Sequence, residues 1–289
     1  MSRYFEISPT ALFVAYLRSL SDIPLAREIF DNLKRSHDIP YLPDGISENQ
    51  LHWLAPIVEC RYKSLNKAIR AGNYDSVLEL AAGYSARGFE LSESVSIYID
   101  SDLPNVVTQK RAILEQSKPP PWPAHVHFQQ LNVMSDRLSD AINMVSVVPK
   151  RGVAIICEGL FQYLDRAEMR NAALNILEVL VQHGGAWFTP DLSTKEQYER
   201  YYKFDPAMSS VVKMRSEATG RNMHEFGFET IAEIVSFFSG LGFRVERTPM
   251  LLPPSDISSS DSLTYARVND FFGPYLNLWR LSPSQFEAL

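Results

Sequence analysis

The sequence predicts an α/β fold in which a mostly parallel β-sheet is covered by helices on both faces, with a helical extension at the N-terminus. From Ser76 onward, short apolar runs alternate with longer helical patterns, which is typical of parallel strands joined by crossover helices. The run at 153–157 is apolar throughout, as expected of a strand buried on both faces. With 289 residues, of which 45% are hydrophobic, the chain can fill one sizeable core. We therefore expect one compact unit, made of a helical extension or lid at 1–72 and a main domain at 73–289.

Residues 9–72 carry the signals of consecutive helices. Ser8 and Pro9 provide a cap and a first-turn residue, and apolar residues follow them at helical spacing. A loop marked by proline and glycine at 39–45 separates this stretch from a second helical stretch at 53–69. The segment either packs against the rest of the fold or serves as a lid.

The remaining elements follow in a regular order. A helix at 229–241 precedes two strands, at 243–248 and 276–281, which could close the sheet as an antiparallel pair. The serine-rich stretch 253–262 is predicted to be a mobile, solvated loop. The predicted parallel strands lie at 77–81, 96–99, 126–133, 153–157 and 186–189, and the crossover helices at 105–116, 139–147 and 166–183.

Composition and charge exclude several classes of function. The chain has 28 basic and 34 acidic residues, a net charge of −6 and no long basic run, so nucleic acid is not an expected partner. Its two cysteines, Cys60 and Cys157, fit neither a disulfide scaffold nor a zinc site, which favours a reducing cytoplasm. The apolar stretch 11–17 follows Glu6 and lacks the small-residue cleavage site of a signal peptide, and no run reaches the roughly 18 to 20 apolar residues that span a bilayer. Since no apolar run is long enough to span a bilayer, we do not expect a membrane partner. His125 and His127 lack a third ligand at a suitable spacing, so we do not expect a metal site.

Ligands of an open parallel sheet bind at the carboxyl ends of its strands. At the end of the first strand the chain reads ELAAGYSARG, in which Glu79, Ala81 and Gly83 are candidate cofactor-binding residues. Small residues at Ala81 and Gly83 let the backbone approach a ligand, and Gly83 can adopt a positive φ. The segment is neither a G-x-G-x-x-G fingerprint nor a P-loop, and a simple tight turn would explain it equally well.

The next two strands end in polar residues suited to a nucleoside. The second strand ends at Asp100 and Asp102, about 20 residues after the glycine turn, where an ionised acid would accept hydrogen bonds from both ribose hydroxyls. A helix cap and a solvated charge are the alternative. After the third strand, Asn132 and Val133 supply an amide and an apolar neighbour for the edge and face of a purine.

Glu158 follows the buried fourth strand and is the most informative single acid in the sequence. An unpaired charge at this position would be costly, so Glu158 needs a partner. That partner is either a cationic ligand or an arginine of the protein.

Taken together, these segments resemble the leucine carboxyl methyltransferase-like family, and within it the branch of polyketide-type O-methyltransferases. The resemblance spans about residues 55–245 and implies the Rossmann-like, seven-stranded sheet of class I methyltransferases, which binds S-adenosylmethionine. The matching segments are CRYKSLNKAIR at 60–70, ELAAGYSARGFEL at 79–91, YIDSDLPNVVTQKRAIL at 98–114, CEGLFQYL at 157–164 and FTPDL at 188–192.

The resemblance implies a role for each residue that matches a family motif. S-adenosylmethionine is zwitterionic, so groups of both charges are expected around it. By this resemblance, Arg61 would face the methionine carboxylate, Gly83 would lie under the methionine and ribose, Asp102 with Asp100 beside it would bind the ribose, Glu158 would lie near the amino group and sulfonium, and Tyr163 would shape the adjacent pocket.

The chain departs from the family in its first motif. Where phosphatase-methylating members carry G-A-G-x-D-T-R, this chain has AAGYSAR at 81–87, without the first glycine, the Asp and the Thr. This departure favours a small metabolite as the acceptor, methylated on a hydroxyl or carboxylate oxygen. A general base would be needed only for a hydroxyl. Tyr84, His224 and Tyr163 are candidates for the acceptor side, and Asp191, at the end of the fifth strand, either borders the pocket or caps the turn that follows it.

Two other functions stay open at the level of the sequence. A nicotinamide-dependent oxidoreductase shares the acid after the second strand, but it should carry a glycine-rich pyrophosphate turn that this chain lacks. A non-catalytic protein could retain the cofactor crevice without an acceptor site.

Overall fold

The computed structural model describes residues 9–36, 40–143, 150–250 and 252–284. A seven-stranded sheet runs through this part of the chain in the order β3-β2-β1-β4-β5-β7-β6. The strands are β1 (Ser76–Leu80), β2 (Ile97–Asp102), β3 (Val126–Gln130), β4 (Val153–Cys157), β5 (Gly185–Thr189), β6 (Phe243–Pro249) and β7 (Asn277–Pro283).

The strand directions place the expected ligand crevice. Strands β1 to β5 are parallel, whereas β7 runs antiparallel to both β5 and β6. The α/β class, the mostly parallel sheet and its antiparallel closure, all predicted from the sequence, are thereby confirmed. Chain order reverses where β1 pairs directly with β4. A crevice opens at such a switch point, so a ligand is expected at the carboxyl ends of β1, β2 and β4.

Helices cover both faces of the sheet. One core layer lies under α1, α2, α4, α6, α10 and α13, and the other lies under α7, α8 and α12. The helices are α1 (Pro9–Ser19), α2 (Ala26–Ser36), α3 (Glu48–Leu51), α4 (Ala55–Gly72), α5 (Arg87–Leu91), α6 (Pro104–Ser117), α7 (Leu138–Asn143), α8 (Arg166–His183), α9 (Lys195–Phe204), α10 (Met208–Thr219), α11 (Met223–Phe226), α12 (Ile231–Ser239) and α13 (Ser262–Phe272).

The side chains of the two central strands, β1 and β4, are buried on both faces of the sheet. All five residues of β1 and all five of β4 are buried. Successive side chains of a strand point to opposite faces. Accordingly, Val77 and Ala154 belong to one core layer, while Leu78 and Ile155 belong to the other. The uninterrupted apolar run of β4 is therefore the consequence of burial on both sides.

Several predicted elements agree closely with the structure. The predicted strand at 153–157 coincides with β4, and the predicted helix at 166–183 coincides with α8. The predicted helical N-terminal region is confirmed as α1 to α4, of which α1 packs against α4 and α10. Ser8, Ile39 and residues 144–149, on which the predicted cap, loop and end of a crossover helix fall, lie outside the described residues.

The predicted third strand is too long. It was expected to reach position 133, but β3 ends at Gln130. The side chain of Asn132 accepts a hydrogen bond from the backbone N–H of Met134 at 3.0 Å. Asparagine commonly forms such local turns, which end the extended backbone.

The prediction of a solvated loop at 253–262 is wrong for its central residues. The backbone N–H groups of Ser258 and Ser259 donate to the carboxylate of Glu59, a buried residue of α4, at 2.9–3.1 Å. Ile257 is also buried. A buried carboxylate on a distant helix thus holds a segment whose composition alone indicates solvation.

None of the helices in the described ranges combines the length and the apolar character needed to cross a bilayer.

Candidate active site

The turn after β1 has an unusual backbone. Ala81 and Gly83 both have positive φ, +51° and +54°. For alanine this left-handed conformation is disfavoured by about 1–2 kcal/mol. This cost explains why the G-A-G-x-D-T-R motif has a glycine at the position of Ala81. A Cβ added at Gly83 would meet no atom within 4 Å, so the backbone there faces open space. The turn therefore leaves room for a ligand against its main chain.

Asp102 fixes this turn to the end of β2. Its Oδ2 accepts a hydrogen bond from the backbone N–H of Gly83 at 2.7 Å, and its Oδ1 accepts one from Leu103 at 2.7 Å. Burial raises the pKa of Asp102, and these two hydrogen bonds act against that rise. Each carboxylate oxygen retains a further lone pair, so the group can still accept from a ligand.

Asp100 lies two residues deeper on β2 and has a different environment. Its Oδ2 accepts from the Nζ of buried Lys110 on α6 at 2.5 Å. Burial raises the pKa of Asp100 to about 7, against the opposing charge of Lys110. The two aspartates that the resemblance pairs at a ribose are thus separated, with only Asp102 contacting the glycine turn.

Glu158 lies at the centre of a buried charge cluster. Its carboxylate meets the guanidinium groups of Arg87 at 2.5 Å, Arg18 at 3.2 Å and Arg61 at 3.7 Å. Burial disfavours the charged form, but the three arginines outweigh it and hold the pKa of Glu158 below its usual value. Of the two partners left open by the sequence, the structure shows the arginines.

Arg87 joins this cluster to β1. It is fully buried, and its Nε donates to Oε1 of Glu79 at 2.9 Å. The other oxygen of Glu79 accepts from the hydroxyl of Tyr98 at 2.5 Å. The guanidinium also lies over the ring of Tyr62, 4.2 Å from its centroid. Glu79, a predicted cofactor residue, therefore already has a protein partner on each oxygen.

Asp191 holds the turn that follows β4. Its carboxylate accepts backbone N–H groups of three consecutive residues, Gly159, Leu160 and Phe161, at 2.8–3.1 Å. It also pairs with Arg61 at 2.7 Å. Asp191 thus caps the turn after β4 and not the turn that follows Asp191 in the chain, and this cap positions the residues next to Glu158.

The other predicted residues lie on separate elements of the fold. Asn132 is partly exposed after β3, and the neighbouring Val133 is buried. Tyr163 ends the short 3-10 turn after β4, beside the Asp191 cap. Tyr84 is buried, and its hydroxyl donates to Gln109 on α6 at 2.7 Å. His224 lies on α11, with its ring 6.3 Å from that of Tyr198.

Sequence reasoning missed two contributors to the cluster. Arg87 was not named as a site residue, although it ends the segment AAGYSAR and matches the final arginine of the G-A-G-x-D-T-R motif. Arg18 comes from α1, in the N-terminal extension, where no local pattern links it to Glu158. Within the described ranges, no group of three His, Cys, Asp or Glu residues could hold a metal ion.

Comparison with known proteins matches a family model to part of this chain. The family model described as leucine carboxyl methyltransferase matches residues 57–177, which include Arg61, Gly83, Asp102 and Glu158. The resemblance to the leucine carboxyl methyltransferase-like family is confirmed over this segment. No curated protein matches the chain significantly.

Several solved structures are similar to this chain at low sequence identity, and the methyltransferase domain of bacterial CtHen1-CN shows the shared fold. The methyltransferase domain of bacterial CtHen1-CN is 13% identical, with a TM-score of 0.50 over 78% of this chain and 99% of that one. An O-methyltransferase family protein from Burkholderia thailandensis is 14% identical (TM-score 0.48, 91% of this chain and 68% of that one). Human N-acetylserotonin methyltransferase is 11% identical (TM-score 0.47, 89% and 65%). The fold is that of the class I methyltransferases.

Proposed function

We propose that this chain is an S-adenosylmethionine-dependent O-methyltransferase, which methylates a hydroxyl or carboxylate oxygen of a small, polyketide-like metabolite. The observation that carries the proposal is the charge cluster at the tips of β1 and β4, in which Glu158 lies among Arg18, Arg61 and Arg87 beside the open Gly83 turn. The cofactor is an amino acid and a nucleoside in one molecule, so it requires both charges and a hydrogen-bond acceptor for its ribose.

The residues present fit such a cofactor. The backbone faces open space at Gly83 and again at Gly159, so the main chain can approach a ligand at both turns. In the proposed site, Arg61 would hold the methionine carboxylate and Glu158 the ammonium group. Asp102 would accept from the ribose hydroxyls, and Asn132 and Val133 would contact the adenine.

Catalysis would consist mainly of positioning. The bound sulfonium supplies an already activated methyl group. The protein's work is to hold the acceptor oxygen in line with that group, and such positioning can contribute about 7–11 kcal/mol. The Asp191 cap serves this purpose by fixing the turn that carries Glu158 and Tyr163.

The N-terminal helices complete the proposed site. Arg18 of α1 reaches the carboxylate of Glu158 at 3.2 Å, with its side chain only 12% exposed. Residues 1–72 would therefore act as a lid, with 73–289 as the cofactor-binding domain. Both cysteines are buried free thiols, which agrees with a reducing cytoplasm as the proposed location.

The test is methyl transfer from labelled S-adenosylmethionine to a panel of hydroxylated and carboxylated aromatic acceptors. We expect label in at least one acceptor, with S-adenosylhomocysteine formed in equal amount. Tight binding of S-adenosylhomocysteine without transfer to any acceptor would contradict catalysis and favour a binding protein. Binding of NAD in place of S-adenosylhomocysteine would favour an oxidoreductase.

A further inference from the structure

In the part of the chain that the structure describes, the two edge strands of the sheet, β3 and β6, differ in how they are protected against pairing with another chain. At the β6 edge, Arg244, Glu246 and Arg247 carry charges and Pro249 ends the strand. Charged residues and proline are common means by which edge strands avoid unwanted pairing. The β3 edge reads VHFQQ and contains none of Asp, Glu, Lys, Arg or Pro. An unprotected edge of this kind indicates a partner strand.

The outer side of β3 offers unused backbone groups. The backbone N–H of Leu131 donates to the C=O of Asp102 at 2.8 Å, which marks the end of the parallel ladder between β3 and β2. In such a ladder every second residue bonds to a given neighbour. The N–H and C=O groups of Phe128 and Gln130 therefore point away from β2, and they form no hydrogen bond with any residue in the described ranges.

A groove of about 590 Å³ runs along this free edge, between β3 and α6. Its wall on α6 includes four exposed residues, Thr108, Arg111, Ala112 and Glu115. Their spacing of three and four positions puts them on one face of the helix. Thr108 and Ala112 are small, so another helix could approach closely, whereas Arg111 and Glu115 carry opposite charges. The edge of the sheet and the adjoining face of α6 are thus exposed together.

We propose that a second copy of this chain occupies this edge, so that the two β3 strands pair antiparallel across a two-fold axis and one sheet continues through the dimer. A two-fold axis beside Phe128 makes the same surface serve both copies. The N–H and C=O of Phe128 then bond to Phe128 of the other copy, and the N–H of Gln130 donates to the C=O of Val126 there. The two partly exposed Phe128 side chains become cross-strand neighbours.

The same axis brings the two α6 helices together. Helix α6 packs over both β2 and β3, so it would lie two strand spacings, about 10 Å, from its counterpart. Packed helices are separated by about 8–10 Å. The two helices run antiparallel, which brings Arg111 of each copy within reach of Glu115 of the other. This self-complementary pair of charges favours a second copy over a foreign peptide strand, which would cover β3 but leave the face of α6 exposed.

The test is the mass of the full chain in solution, measured by sedimentation velocity at low salt for the parent, for Arg111→Glu, for Glu115→Arg and for an equal mixture of the two variants. Each variant alone places like charges opposite each other, whereas the mixture restores opposite charges. We expect a dimeric parent, a dimer dissociation constant at least about tenfold higher for each variant alone, and recovery of the dimer in the mixture.

The matched control uses Lys213 and Glu217, a solvent-exposed pair with the same spacing on α10. The variants Lys213→Glu and Glu217→Lys, alone or mixed, should sediment like the parent. Gln130→Pro tests the strand contact separately, because it removes an outward N–H and no bond to β2. We expect a monomer that still unfolds cooperatively when followed by circular dichroism. Should this variant fail to fold, the mixing experiment decides the question without it.

A parent that sediments as a monomer over its whole soluble range would overturn the proposal and leave the edge to a segment of a different protein. A dimer that persists in both charge variants, or that mixing them does not restore, would also overturn it, as would a folded Gln130→Pro that stays dimeric. None of these measurements involves S-adenosylmethionine, so their outcome is independent of the proposed methyltransferase function.

Discussion

Replacing Arg87 with methionine is expected to destabilise the protein by about 3–5 kcal/mol, the range for breaking a buried ion pair from one side. Arg87 is fully buried and contacts both Glu79 and Glu158. Methionine fills a similar volume but leaves two buried carboxylates without this partner. The free energy of unfolding, measured by urea denaturation, should fall by this amount with an unchanged slope.

The control for this variant is Arg70→Met. Arg70 pairs with Glu90 at 2.9 Å, but its side chain is 45% exposed. An exposed pair contributes about 0–1 kcal/mol, so this variant should unfold almost like the parent. Equal stability of the Arg87 and Arg70 variants would show that the buried cluster does not hold the strand tips together.

Replacing Asp102 with asparagine is expected to weaken binding of S-adenosylhomocysteine by about 1.5–3 kcal/mol, the range for hydrogen bonds to a charged group. Asparagine keeps the shape and can still accept from Gly83, but it loses the charge that we propose accepts from the ribose hydroxyls. Calorimetric titration measures the effect, which corresponds to roughly a 10- to 150-fold higher dissociation constant.

Asp140→Asn provides the matched control for Asp102→Asn. Asp140 is an exposed residue of α7, so the same loss of charge occurs away from the crevice. Its affinity for S-adenosylhomocysteine should equal that of the parent. If Asp102→Asn stays folded and also binds like the parent, the ribose subsite has been assigned to the wrong place.

The sheet could be predicted from the sequence because a strand that is buried on both faces is apolar at every position. The run VAIIC of β4 is apolar at every position, and each of its residues is buried in the structure. The bounds of α8 are equally clear, since Asp165 caps its first turn by accepting from Ala167 and Glu168. Gly83 and Asp102 could be singled out because their spacing reflects the β1-turn-α-β2 unit itself.

The contacts that complete the site are long-range and leave no local pattern. Arg18 meets Glu158 only after α1 has folded over the sheet, and Asp191 caps a turn that belongs to a different strand. Helix α9 escaped prediction because none of its residues is buried, so it has no fully apolar stripe. Ser258 and Ser259 appear solvated in sequence because their partner, Glu59, lies on α4.

The most direct test of the proposed cofactor site is the binding of S-adenosylhomocysteine to the folded parent protein, measured by titration calorimetry. We expect a saturable, one-to-one binding curve, and none for NAD under the same conditions. Absence of any heat of binding from protein that unfolds cooperatively would contradict the account, since it would leave the arginines and acids at the strand tips as a purely structural cluster.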